Sequence, residues 1–152
     1  MSAIHTYRMS GHWSGDKNGT GTAEGRGLKT VLSVSSHLGG PGIGTSPEEL
    51  LLAAAYGCYL LTLSTLLTNH NVPYARIELE SEGYVEDDHG LRFDRIEHRP
   101  TIYLKDSVNE QEAALLAEHA EHACMVSSAI RGNVLVTVTP QLRVEALADS
   151  GN

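Results

Sequence analysis

The sequence predicts an α+β fold in the order β-β-β-α-β-β-α-β, and three observations carry that prediction. Residues 4–35 hold short alternating runs separated by glycine-rich turns. Residues 46–69 open with a helix cap and continue as an uncharged helical run. Residues 75–104 hold two long alternating segments around one turn, and a second helical pattern follows them. At 152 residues without an internal repeat, a single domain is expected over 1–145, with a frayed tail at 146–152.

The first strand is expected at residues 4–9, and Ser14-Gly-Asp-Lys-Asn-Gly19 reads as a hairpin turn. Two short strands follow at 20–24 and 28–35. His37-Leu-Gly-Gly-Pro-Gly-Ile-Gly44 has four glycines and a proline in eight residues, so it is a loop delivering the chain to Ser46. There Ser46 suits the cap, Pro47 suits the first turn, and Glu49 completes a capping box. Glu48 and Glu49 lie where the helix dipole favours carboxylates. Residues 50–67 carry no charge, and their apolar side chains go round the helix, which calls for cover on every side.

Asn71-Val-Pro73 stops this helix, and residues 75–86 read as a long strand with Gly83 as a candidate bulge. Asp87-Asp-His-Gly90 is the turn, with Gly90 supplying a positive φ. Residues 91–104 are the antiparallel partner, Pro100 marking a bulge or an edge. Residues 109–131 predict one continuous helix, capped by Asn109 and closed by Gly132-Asn133. Its buried stripe is Leu116, Ala120, Cys124, Ser127 and Arg131; residues 135–144 form the last strand.

A net charge of -8 argues against nucleic acid and anionic membrane surfaces as partners. Two cysteines are too few for a disulfide scaffold, and residues 1–20 lack the apolar core of a signal peptide. The expected compartment is the cytoplasm, where a functional disulfide is transient and catalytic. Residues 50–67 approach the length of a membrane span. Gly57, Thr62, Ser64, Thr65 and the water-patterned strands that follow argue for a core helix instead.

Cys58 sits in the middle of that helix. Free cysteine is a common core residue, and on its own Cys58 reads as core filling. A second thiol, Cys124, on another helix face opens a further reading, in which the two meet as a dithiol redox couple. A metal site on His119, His122 and Cys124 is disfavoured, because on a continuous helix Cys124 lies about 140–160° from both histidines. No dinucleotide fingerprint, nucleophile elbow or Cys-x-x-Cys is present, and Gly39–Gly44 lacks the Lys-Ser/Thr of a phosphate loop.

Two stretches tip the balance. Gly44-Thr-Ser-Pro-Glu-Glu-Leu-Leu-Leu-Ala-Ala-Ala-Tyr-Gly-Cys58 closely resembles the central motif of the OsmC/Ohr family of thiol peroxidases. Ala123-Cys-Met-Val-Ser-Ser-Ala-Ile-Arg-Gly-Asn133 is similar to that family's resolving-cysteine helix. His98-Arg-Pro100 and the Cys124 wording look most like an OsmC-like subgroup. The resemblance implies an intertwined homodimer, its central helices packed between two mixed sheets built by both chains. It implies a peroxidase of organic hydroperoxides in oxidative stress defence, with no metal or organic cofactor and an external dithiol reductant such as protein-bound lipoyl groups.

Carried over by motif, the peroxidatic role falls on Cys58, the resolving role on Cys124 and the motif's carboxylate on Glu48. The family's cysteine-activating arginine is missing from the first glycine turn, where Lys17 stands; His37 and Arg131 are the other candidate cations. Lysine lacks the planar fork that holds a carboxylate and a thiolate together. The rival expectation is a non-catalytic module of the same fold that binds a small apolar ligand or a protein partner.

Overall fold

The structure is a computed structural model describing residues 2–145, so the tail expected at 146–152 lies outside the described residues. The chain divides into two compact units between Leu50 and Leu51.

In the first unit β1 (Trp13–Ser14), β2 (Thr20–Glu24) and β3 (Lys29–Leu32) form an antiparallel meander in that order. The β1–β2 turn is set by Asp16, whose Oδ1 accepts the Asn18 N–H at 2.8 Å. The strand expected at residues 4–9 does not form. Antiparallel pairing starts only at the Ser10–Glu24 bridge, and Ile4 and Tyr7 stay exposed. Alternation supplies a pattern, but a strand also needs a neighbour to satisfy its backbone. The glycine-rich loop is pinned to β3 by buried Ser33, whose hydroxyl accepts the Ile43 N–H at 2.7 Å and donates to the Ile43 carbonyl at 2.8 Å. Gly44 has φ 70°, and a Cβ there would lie 2.1 Å from the Val31 carbonyl oxygen, so only glycine fits where the loop turns into the helix.

Helix α1 (Pro47–Asn69) begins as read: the Ser46 hydroxyl accepts the Glu49 N–H at 3.3 Å. The Glu49 carboxylate accepts the Thr45 hydroxyl at 2.5 Å rather than returning to the cap. Its buried residues Ala55, Tyr59, Leu63 and Leu67 are four apart, one stripe only. The expected all-round cover is not supplied by the described residues: Leu61 is 72% exposed.

The second unit is built on the long hairpin of β4 (Tyr74–Asp87) and β5 (Leu91–Leu104). His89 at φ 60° and Gly90 at φ 122° make the turn. The hairpin shifts register between Tyr74 and Arg76 and between Tyr84 and Val85, not at Gly83. Gly83 makes room for the Phe93 ring, which a Cβ there would meet at 2.8 Å and push aside. The last strand is broken in two, β6 (Leu135–Val138) and β7 (Gln141–Val144), both parallel to β5. Pro100 is neither on an edge nor at a bulge: it is buried in the central strand, at the gap between the stretches of β5 that pair with β6 and β7. Its missing N–H and that of Pro140 fall where the ladder is interrupted anyway.

The second predicted helix is two helices, α2 (Glu110–Ala123) and α3 (Met125–Ile130), with Cys124 extended between them at φ -71° and ψ 122°. Asn109 takes the cap position without a side-chain cap bond, its amide going to Asp106. Gly132 closes the far end with φ 92°. The core joins the α1 stripe to Leu79, Ile102 and Leu104 of the sheet and to Ala113, Leu116, Ala117 and Ala120 of α2.

Candidate active site

Position within the fold decides what each thiol meets. Cys58 is partly buried on α1, one residue before the fully buried Tyr59, and Cys124 is buried at the α2–α3 break. The break gives Cys124 two tasks. Its sulfur caps α3 by accepting the Ser127 N–H at 3.4 Å, and its carbonyl accepts the Ser128 N–H at 2.9 Å. That leaves the first two amides of α3, on Met125 and Val126, without partners inside the helix. Both lie near enough to the Cys58 sulfur to favour its thiolate, together with the Cys124 thiol and the Thr62 hydroxyl.

Burial pushes the Cys58 thiol up, but the bonds from Cys124, Val126, Thr62 and Met125 outweigh it and hold the thiol below its ordinary range. Cys124 is moved the other way. Burial pushes it up, and donating to Cys58 pushes it further. Within the pair Cys58 therefore gives up its proton more readily than Cys124. The donors acting on Cys58 are hydroxyl, thiol and backbone amides, with no cation among them.

The two cysteines read from the sequence are thus brought together within the second unit. Lys17 is exposed at the β1–β2 turn, His37 lies in a 3-10 turn (Ser36–Leu38), and Glu48 is in the first turn of α1, all in the first unit. Among the described residues, Glu48 Oε2 is shielded from solvent without a hydrogen-bond partner. Arg131 is not on the buried stripe: its guanidinium is half exposed and bonds Glu121, at 3.0 Å to Oε1 and 3.2 Å to the backbone carbonyl.

Sequence reasoning missed the donors. Thr62 stands four residues after Cys58 on one helix face, a spacing visible in the sequence. The Met125 and Val126 amides become donors only because of the break. Next along α1 from Cys58, Tyr59 stacks on buried His98 with ring centroids 4.6 Å apart, and His98 Nδ1 lies 2.6 Å from the Ser81 hydroxyl. Tyr59 donates to the Ala117 carbonyl at 2.7 Å, tying α1 to α2 one residue from the thiol.

Residues 39–139 match the family model for OsmC-like protein. The chain is 36% identical over 153 residues to an uncharacterized protein of Bacillus subtilis, YmaD, covering 98% of both chains. It is 26% identical over 132 residues to an organic hydroperoxide resistance protein of Xanthomonas axonopodis pv. citri, covering 83% of this chain and 88% of that one. Among solved structures it is similar to an organic hydroperoxide resistance protein OsmC from Legionella pneumophila, with TM-score 0.74 and 25% identity over 92% of this chain and 99% of that one. The chain belongs to the OsmC-like protein family.

Proposed function

We propose that the protein is a cytoplasmic thiol peroxidase that reduces organic hydroperoxides through Cys58 and Cys124. One observation carries the reading: the Cys58 sulfur collects the Cys124 thiol, the Thr62 hydroxyl and two helix amides, and its thiol is lowered despite burial. The thiolate is the nucleophile toward peroxide. Cys58 attacks the terminal oxygen of ROOH and the O–O bond breaks. The alkoxide takes a proton to leave as ROH, and Cys58 becomes a sulfenic acid. Cys124 then attacks that sulfur and loses its proton to the departing hydroxyl, which leaves as water. The two sulfurs close from hydrogen-bond contact to the ~2.05 Å of a disulfide. An external dithiol restores both thiols by exchange.

The preference for organic peroxides rests on the uncharged run of residues 50–67 around Cys58, whose apolar side chains can take an alkyl group. Burying an alkyl chain contributes about 0.8 kcal/mol per methylene. The test is rapid-mixing thiol loss with mass spectrometry. In the wild type, one equivalent of an organic hydroperoxide consumes both thiols and yields a Cys58–Cys124 disulfide, faster than hydrogen peroxide does. Cys58→Ser abolishes consumption and leaves Cys124 reduced. Cys124→Ser consumes about one equivalent and stalls as sulfenic acid or over-oxidises. Wild-type turnover in Cys58→Ser overturns the assignment. If neither oxidant touches either thiol, the protein is a binding module of the same fold.

A further inference from the structure

The amides that face Cys58 are available only because the chain breaks at Cys124, and the break is closed by a contact the peroxidase reading does not use. The Arg131 Nη2 donates twice to one residue, to the Glu121 carbonyl at 3.2 Å and to Glu121 Oε1 at 3.0 Å. Glu121 lies in the last turn of α2, and Arg131 is the residue that ends α3. The Glu121 carbonyl also receives the Cys124 N–H at 3.3 Å, so that oxygen ends α2 and anchors Arg131 at once. One side chain thereby joins the two ends of the segment containing both the break and α3.

We propose that Arg131 is a positioning residue that clasps α2 to the end of α3, holding the helix break so that the Met125 and Val126 amides stay aimed at Cys58. A six-residue helix has little stability of its own. Its direction depends on how its ends are tied, at one end by the Cys124 sulfur and at the other by Arg131. Of Glu121, 9% is exposed, so the anchor is buried, while the guanidinium reaches it from the surface. This deepens the reading of Cys58 as the attacking thiolate, but its test needs no peroxide. It stands or falls on thiol ionisation alone.

A simpler role for Arg131 is a distant positive charge that favours the thiolate through space. Glu121 separates the two, because they predict opposite signs. If charge is what matters, removing the Glu121 carboxylate leaves Arg131 uncompensated and lowers the Cys58 pKa further. If the clasp matters, removing its anchor frees α3 and raises the pKa.

The experiment measures Cys58 ionisation in the Cys124→Ser background, from pH-dependent thiolate absorbance and from the pH profile of alkylation. Arg131→Met, Arg131→Lys and Glu121→Leu are compared. The expected result is a Cys58 pKa raised by about one unit in Arg131→Met and in Glu121→Leu, a tenfold slower alkylation below the pKa with an unchanged plateau above it. Arg131→Lys restores part of the shift, since one ammonium can still reach both Glu121 oxygens. A Cys58 pKa at the parent value in Arg131→Met overturns the proposal, and so does a lowered pKa in Glu121→Leu. Where Arg131→Met does not fold, Glu121→Leu decides by its sign.

Discussion

His98 is an imidazole on the inward face of β5, in a row with Ile96, Pro100, Ile102 and Leu104, and it is fully buried. Burial holds its pKa down at about 4 against an ordinary 6.5, with the nearby Glu121 carboxylate opposing. Around it stand Tyr59, Ser81 and Glu121, and burial pushes the Tyr59 phenol up, so that group stays neutral too. The sign for stability follows from proton counting. Between pH 6.5 and about 4 the unfolded chain binds a proton at His98 that the folded chain refuses. Stability from this residue is full above pH 6.5 and falls as pH drops through that window, by at most on the order of 3 kcal/mol. His98→Gln should flatten the acid limb of a melting-temperature profile, and Ser81→Ala should cost roughly 1–3 kcal/mol at neutral pH by stranding Nδ1. An acid limb as steep in His98→Gln as in the wild type would show that other groups govern it.

At the scale of elements, α1 was legible and the α2–α3 break was not. Ser46-Pro47-Glu48-Glu49 is a local signal, so its helix starts where the sequence says. The stripe Leu116, Ala120, Cys124, Ser127 keeps helical spacing across the break, and its members stay buried on both sides. Periodicity therefore cannot reveal it; the low helix propensity of Val126, Ser127 and Ser128 is a faint hint. The decisive contact, Arg131 to Glu121, spans ten residues. Both cysteines could be placed on helices from spacing, whereas their meeting depends on α2 folding back over α1. Glu48 is the converse case. Ten residues of α1 rise about 15 Å, so Glu48 does not reach the Cys58 of its own helix. We assign it to a site completed by another element or by a partner chain, where it would orient a cation for the thiolate. Glu48→Ala should slow the first peroxide step at least tenfold while dimerisation persists. Unchanged thiol reactivity in a dimeric Glu48→Ala would remove Glu48 from the site.

For the whole molecule the uncovered side of α1 is the controlling fact. A 23-residue helix with no charge beyond its first turn buries one stripe in this chain. Tyr56 and Leu61 remain exposed, and near the amino terminus Ile4, Tyr7 and Met9 are exposed on a segment without a strand partner. The sequence showed that the helix needs cover all round; it could not show that the described residues leave one side open, because cover is a property of packing. Apolar surface on this scale marks an interface. Two copies meeting through α1 would bury it isologously, each covering the other's Leu61 face. We predict an obligate homodimer. Equilibrium sedimentation should return twice the chain mass down to micromolar concentration, with a melting temperature that rises with protein concentration. Leu61→Glu places a charge in that contact without touching the Ala55, Tyr59, Leu63, Leu67 stripe, so it should yield monomer prone to aggregation. A wild-type chain that sediments as a stable, soluble monomer at micromolar concentration would refute the dimer, and with it a Glu48 site completed by the partner chain.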